Sequence, residues 1–295
     1  MVKCLACKSI NIEVTDTKVS DFLAERIFDT LDNNAIPTKL FCCKECGFGF
    51  YEKRLTSDEE RRLYKGYRSD EYQEMRQKSD VWYTPEINSA LGEDENDLKL
   101  RRAIIERIVN KNIRTKIRCA LDYGGDMGQK YPEGTFIEQK YVYDISGVDT
   151  LEGVIGFKTL ESARTMNYDF VMCNQVLEHI GDLDSFIGDV KSIGNRRTWF
   201  YFDVPFDTPF QKSFLNNFQY IFNPYFKIDI IIKHFFRTRK QGYFAPMSEH
   251  VNFFTPDSIK KFLARNGFVI YDCEVNPISD VLGKGKIISV LCKME

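Results

Sequence analysis

The chain reads as an α/β protein in which a parallel sheet is closed by an antiparallel strand pair and preceded by a small cysteine-bearing module. Three observations predict this. Short apolar segments alternate with helical patterns from residue 96 onward, the arrangement that builds parallel sheets. One of those segments, "IRCALDY", runs directly into the glycine-rich turn "GGDMG". Two Cys-x-x-Cys pairs, "CLAC" and "CKEC", fall within the first 46 residues.

Taken in order, the first element is the cysteine module, expected over residues 1–55, where "GFGFYEK" after the second pair adds a glycine turn and a strand of alternating aromatics. Of nine cysteines, Cys4, Cys7, Cys42, Cys43 and Cys46 cluster here, while Cys119, Cys173, Cys273 and Cys292 are scattered among apolar neighbours. In a cytoplasmic chain such clustering points to metal rather than disulfides. Four thiolates complete a tetrahedral Zn²⁺ and leave no open position for catalysis. Cys4, Cys7, Cys43 and Cys46 are the expected ligands of a structural zinc, with Cys42 able to take the place of Cys43.

Residues 56–95 form a connector. In "SDEERRLYKGYRSDEYQEMRQ" a serine followed by acids predicts a helix start at Ser57, giving a polar helical segment that carries Tyr64, Tyr67 and Tyr72. The main domain, 96–295, opens on an amphipathic helix, "NDLKLRRAIIERIVNKN", with Leu98, Ile104, Ile105 and Ile108 on one face. Strands follow at "IRCALDY", "YVYDIS", "DFVMCN" and "TWFYFDV", with "DLDSFIGDVKSI" a helix between the last two. "FTPDSIKKFLARNGF" predicts a helix with Thr255 as N-cap, Pro256 at its first position and Gly267 beyond its end. "FVIYDCEVN" and "KIISVLCKM", joined by a glycine-containing loop, supply the antiparallel pair.

The net charge of −2 provides no general positive field for a nucleic-acid backbone. The N-terminus lacks a cationic stretch leading into an apolar one, and no uncharged run approaches the roughly 20 residues that span a bilayer. A cytoplasmic location and a small-molecule substrate are therefore expected.

A strand that ends in an acid and then glycines places bare backbone at the carboxyl edge of a parallel sheet, where open α/β folds bind ligands. Asp144 ends the next predicted strand about twenty residues downstream, the position from which nucleoside-binding folds engage ribose hydroxyls. The turn is not Gly-x-Gly-x-x-Gly, which disfavours a pyrophosphate cradle and an NAD-dependent dehydrogenase, and favours a nucleoside without phosphates.

"LDYGGDMGQ", "YDIS" and "YDFVMCNQVLEHIGDLDSF" resemble the successive motifs of class I S-adenosylmethionine-dependent methyltransferases, whose sheet is Rossmann-like. The resemblance implies S-adenosylmethionine as cofactor. It places Asp122, Gly124, Gly125 and Gly128 along the methionine part, Asp144 on the ribose, Leu160 and Glu161 beside the adenine, and Asn174 and Gln175 at the closing edge. Tyr67 is a further candidate, from a segment that related enzymes fold over the cofactor. Asp126 stands where the family often has another glycine.

With the cysteine module, the tyrosine-bearing connector and "SEHVNFFTPDSIKKFLARNGF", the resemblance extends along nearly the whole chain to zinc-ribbon-bearing bacterial sugar methyltransferases. It implies a nucleotide-linked sugar, a glycan precursor or a related small metabolite as acceptor. In carbon-methylating members a Tyr-x-Glu-His sequence and a further histidine line the acceptor pocket. The matching residues are Met247, Glu249, His250 and His179. Met247 lacks the tyrosine hydroxyl, and Tyr243 is a nearby alternative. His250 is the preferred base with Glu249 to orient it; His179 divides between catalysis and packing.

The insertion 206–248, crowded with aromatics and carrying Lys233, Arg237, Arg239 and Lys240, is expected to cover the acceptor. Its cations suit a sugar nucleotide's diphosphate or peripheral contact with a membrane, beside the plainer reading of a core helix with a solvated end. Two other readings remain: an rRNA methyltransferase with an N-terminal zinc module, and a catalytically silent binding module.

Overall fold

The protein's structure is a computed structural model and describes residues 1–28, 36–206, 246–281 and 283–295. Strand β1 (Ile12–Lys18), helix α1 (Asp21–Phe28) and strands β2 (Pro37–Cys43) and β3 (Gly49–Tyr51) form the N-terminal region. Both cysteine pairs sit on tight turns. Lys8 N donates to Cys4 O at 2.9 Å, and Gly47 N donates to Cys43 O at 2.8 Å. Gly47 has φ +71°, and a Cβ there would lie 2.8 Å from Thr255 Cγ2, so both conformation and space call for glycine.

Helices α2 (Ser57–Tyr64), α3 (Asp70–Ser79) and α4 (Pro85–Ala90) fill the connector. The single polar segment expected over 57–77 is thus two helices. The break falls where Gly66 and Arg68 adopt left-handed backbone and Ser69 caps a fresh start by accepting from Tyr72 N at 3.3 Å. The cap of α2 is Thr56, one residue before the serine expected to begin it, in a reciprocal capping box with Glu59.

Helix α5 (Glu95–Asn112) leads into β4 (Ile117–Tyr123), β5 (Ile137–Tyr143), β6 (Val154–Phe157), α6 (Leu160–Ala163), β7 (Phe170–Asn174), α7 (Leu183–Ile193) and β8 (Trp199–Pro205). After residue 245 come β9 (Asn252–Phe253), α8 (Pro256–Arg265), β10 (Phe268–Asp280) and β11 (Gly283–Met294). The main sheet runs β6-β5-β4-β7-β8-β11-β10, with β11 and β10 antiparallel and the other five parallel, as expected.

Alternation along the strands divides two cores. Leu121, Val171, Cys173, Phe200 and Phe202 pack toward Ile187, Val190 and Phe262 of α7 and α8. Ala120, Phe170, Met172 and Tyr201 pack toward Ile104, Ile105 and Ile108 of α5. A second sheet, β1-β2-β3-β9, is antiparallel and takes its last strand from the far end of the chain. Thr255 Oγ1 donates to Cys46 O at 2.6 Å and Arg265 donates to the carbonyls of Leu5 and Ala6, so the cysteine region is stitched to α8.

The short edge strand β6 has an exposed Ile155 and no apolar alternation to announce it. In the terminal pair the expected glycine loop is largely hydrogen-bonded ladder, with Pro277 opposite Lys286 and Ile278 opposite Gly285. Lys233, Arg237, Arg239, Lys240 and Tyr243 lie outside the described residues. Among those described, no helix is long and apolar enough to cross a membrane.

Candidate active site

Strands β4, β5 and β7 are neighbours in the sheet, so their carboxyl ends deliver Asp122, Asp144 and Asn174 to one edge. Asp122 is fully buried. It accepts from Asn174 Nδ2 at 3.1 Å, its second oxygen has no partner among the described residues, and burial pushes the carboxyl up to about 7. Gly124 has φ +72°, and a Cβ would lie 2.6 Å from Val176 Cγ2; at Gly125 it would lie 2.4 Å from the Asp122 carboxyl carbon. Gly128, at φ +83°, packs against Val142 and Val154. The turn is bare because its own supports already fill the side-chain space.

Asp126 holds left-handed backbone at φ +54° where the family often has glycine. Its N–H donates to Asp144 Oδ2 at 2.9 Å, and its carboxylate accepts from Gln129 at 3.1 Å and pairs with Arg68 at 3.3 Å. The side chain thus faces the connector and ties it to the loop. Asp144 also accepts from the N–H and hydroxyl of Ser146, which ends β5 and fixes the carboxylate in a half-buried position.

Leu160 and Glu161 begin the one-turn helix α6 after β6; Leu160 packs partly into the core, and Glu161 is exposed, 3.8 Å from Arg164. Asn174 is buried, its side-chain oxygen without a partner among the described residues, and its carbonyl accepts from Lys130 at 3.2 Å. Gln175, at φ +57°, bonds Asp203 through its N–H at 3.1 Å and its side-chain amide at 2.7 Å. Tyr67 stands edge-on to Tyr64 and Tyr72 under the Arg68 guanidinium; its neighbour Arg68 reaches the glycine loop. The unpaired oxygens of Asp122 and Asn174, beside a loop that a Cβ would block, fit a ligand that brings hydrogen-bond donors.

The segment after β7 carries Glu178 and His179, and the segment before β9 carries Glu249 and His250. The two imidazoles meet edge to face at 4.8 Å. Glu178, His179 and His250 bring one carboxylate oxygen and two ring nitrogens within 4.8 Å of one another. His179 Nδ1 lies 2.8 Å from Tyr64 Oη and 3.1 Å from Glu249 O. Burial, reinforced by His250, brings His179 down to about 3, so its ring is neutral at physiological pH.

Glu249, expected to orient His250, spends its carboxylate elsewhere: it accepts from Tyr72 Oη and pairs with Arg76 of α3. Burial pushes its carboxyl up, but Arg76 and Tyr72 outweigh that and hold it below the usual range. Met247 is fully buried, exchanging backbone bonds with Lys18 and Ser20. Arg54 braces both histidine-bearing segments, donating to the carbonyls of Ile180, Gly181 and Val251 and to Asn252 Oδ1. Sequence reasoning missed Arg54, Arg68, Arg76 and Glu178. Only Glu178 carried a signal, as the acid of "LEH".

The four expected ligand cysteines converge. Cys4 Sγ is 3.6 Å from Cys46 Sγ and Cys7 Sγ is 3.5 Å from Cys43 Sγ. A tetrahedron with Zn–S of about 2.3 Å has edges of about 3.8 Å, so this spacing fits four thiolates around one metal. The Cys7 N–H points to Cys4 Sγ at 3.5 Å, an outer contact that suits a thiolate. Cys42 is outside the cluster, on β2 opposite Glu13.

The family described as methyltransferase domain matches residues 94–272. No curated protein matches the chain in sequence. Among solved structures it is similar to magnesium protoporphyrin IX methyltransferase from Synechocystis PCC 6803 with bound SAH, at 14% identity over 66% of this chain and 82% of that one, with TM-score 0.39. It is also similar to 1,6-didemethyltoxoflavin-N1-methyltransferase from Burkholderia thailandensis, bound to 1,6-didemethyltoxoflavin and S-adenosylhomocysteine, at 13% identity over 90% and 97% of the two chains, with TM-score 0.47. With the family match spanning more than half its length, the chain belongs to the methyltransferase-domain family, as an S-adenosylmethionine-dependent enzyme.

Proposed function

We propose that the protein methylates a sugar, either nucleotide-linked or part of a glycan precursor, or a related small metabolite, with S-adenosylmethionine as donor. The observation that carries this reading is a cofactor-type loop and a half-buried two-histidine cluster built on consecutive parts of one sheet edge, with β7 leading into both. The cofactor supplies a methyl group already activated on a sulfonium, so the residues have three tasks: to bind it, align the acceptor and take a proton.

In this reading Gly124, Gly125 and Gly128 admit the cofactor, with Asp122 and Asn174 offering their unpaired oxygens to its donors. Asp144 takes the ribose hydroxyls, Leu160 and Glu161 border the adenine, and Gln175, fixed by Asp203, closes the edge. Tyr67 acts through the packing that seats Arg68 on the loop. His250 is the base. His179, neutral and held at Nδ1, shapes its surroundings; Glu249 orients the segment through Arg76 and Tyr72. Tyr64 and Tyr72 of the connector spend their hydroxyls on His179 and Glu249, tying the connector to the acceptor side. Residues 1–55 are a structural zinc module, 56–95 a connector and 96–295 the catalytic domain.

The test is incubation with methyl-labelled S-adenosylmethionine and a panel of nucleotide sugars and lipid-linked glycan precursors, followed by mass spectrometry. One labelled methyl per sugar, abolished by Asp144→Ala and by His250→Gln, supports the proposal. Label appearing in rRNA and in no sugar refutes it.

A further inference from the structure

We infer that Glu178 is the positioning residue that balances the charge of His250 during proton transfer, in place of its sequence neighbour Glu249. The inference rests on reading this cluster as the acceptor side of a methyl-transfer site.

Two carboxylates lie near the histidines, and one of them is already taken. Glu249 is committed to Arg76 and Tyr72 from α3, whose cation already neutralises it. Glu178 is buried, and neither of its carboxylate oxygens has a hydrogen-bond partner among the described residues. A buried anion without a donor is costly, and a fold that keeps one has a cation arriving there or a proton resting there.

The neighbours decide where that cation forms. Glu178 faces His179 Nε2 at 3.8 Å, and His250, Asp203, Lys130, Tyr64 and Cys173 are further charged or titratable groups around it. His179 is held at Nδ1 by Tyr64 and the Glu249 carbonyl, and its burial disfavours a charged ring. Asp203 is an acid occupied by Gln175. Lys130 spends its ammonium on the Asn174 carbonyl. His250 brings a ring nitrogen within 4.8 Å of the same carboxylate, and it is the group whose protonation Glu178 can stabilise.

The step then balances. The acceptor's nucleophilic atom forms a bond to the methyl carbon while the carbon–sulfur bond breaks and its electron pair returns to sulfur. The acceptor's proton passes to His250, giving imidazolium beside the Glu178 carboxylate, and later leaves to water. Burial pushes the Glu178 carboxyl up to about 7, and His250 opposes that shift, the direction expected of a carboxylate whose charge pairs with this ring.

The experiment is a ¹³C titration of glutamate carboxyls in the full chain. In wild type, one carboxyl titrates near 7, far above ordinary glutamates, and disappears in Glu178→Gln. In His250→Gln its midpoint rises by about one unit or more, a tenfold tighter hold on its proton. In Glu249→Gln it stays in place. A midpoint unmoved by His250→Gln, or moved only by Glu249→Gln, overturns the inference.

If His250→Gln does not fold, wild type decides through the ring nitrogens of its three histidines. The Glu178 carboxyl curve then shares a step with a ring signal; curves with no step in common overturn the inference. Two metal equivalents per chain, one of them lost in Glu178→Gln, would put a bound cation in the proton's place and also overturn it. Calorimetric binding of S-adenosylhomocysteine separates the two levels: its absence defeats the methyltransferase site itself, and its presence with an unmoved Glu178 defeats this inference alone.

Discussion

At Asp122 the chain keeps a carboxylate fully buried, and its raised proton affinity has a sign that can be measured. The folded group binds its proton up to about 7, whereas the unfolded one releases it near 4. The stabilisation is complete below about 4 and is lost as pH rises toward 7. Asp122→Asn removes that dependence. Relative to wild type, the variant gains up to roughly 1.4 kcal/mol per pH unit across this window and nothing above it, as urea unfolding at a series of pH values would show. Gly125→Ala puts a Cβ against that carboxyl. We expect at least a tenfold loss of S-adenosylhomocysteine affinity, measured by calorimetry. The acid-ended strand, the glycines and Asp144 were legible because they carry chemistry in residue type and spacing. Glu178 was legible only as the acid of "LEH"; its burial, and the want of a donor among the described residues, exist only after distant segments assemble.

Between elements, legibility followed the locality of the cause. Helix α8 was readable from Thr255 and Pro256, since its capping box lies within four residues of sequence. The connector was read too smoothly. Left-handed Arg68 is supported by contacts across the fold, to Asp126 and through its carbonyl to Asn88. The α3 contact with the segment before β9 is a second such case. Arg76→Ala strands the Glu249 carboxylate, whose side chain is only 12% exposed, and should cost about 3 kcal/mol in chemical unfolding. Arg76→Lys, which retains the charge, should recover part of that. In the cysteine module the sequence left Cys42 and Cys43 as alternatives. Because Cys43 joins the cluster and Cys42 does not, Cys43→Ser should abolish metal retention and lower Tm, while Cys42→Ser leaves bound metal at one equivalent. Elemental analysis and thermal melts check both.

Across the whole molecule, the N-terminal sheet borrows β9 from beyond residue 250, and Arg54 bonds both histidine-bearing segments. Breaking the four-cysteine cluster, as by Cys43→Ser, should therefore weaken the acceptor side as well as the module. The alternating strand and helix pattern disclosed the parallel sheet, while the stitching of β3 to β9 was beyond it because strand pairing at that separation leaves no local mark. The central claim is that the β4–β5–β7 edge binds S-adenosylmethionine. Its most direct test is calorimetric titration of metal-replete protein with S-adenosylmethionine and S-adenosylhomocysteine, with NAD and Asp144→Ala as controls. We predict binding of the first two, none of NAD, and a loss of roughly 10- to 100-fold in Asp144→Ala, the scale of hydrogen bonds to a charged group. Folded protein that binds neither sulfur nucleoside, or binds them equally well without the Asp144 carboxylate, would contradict the account.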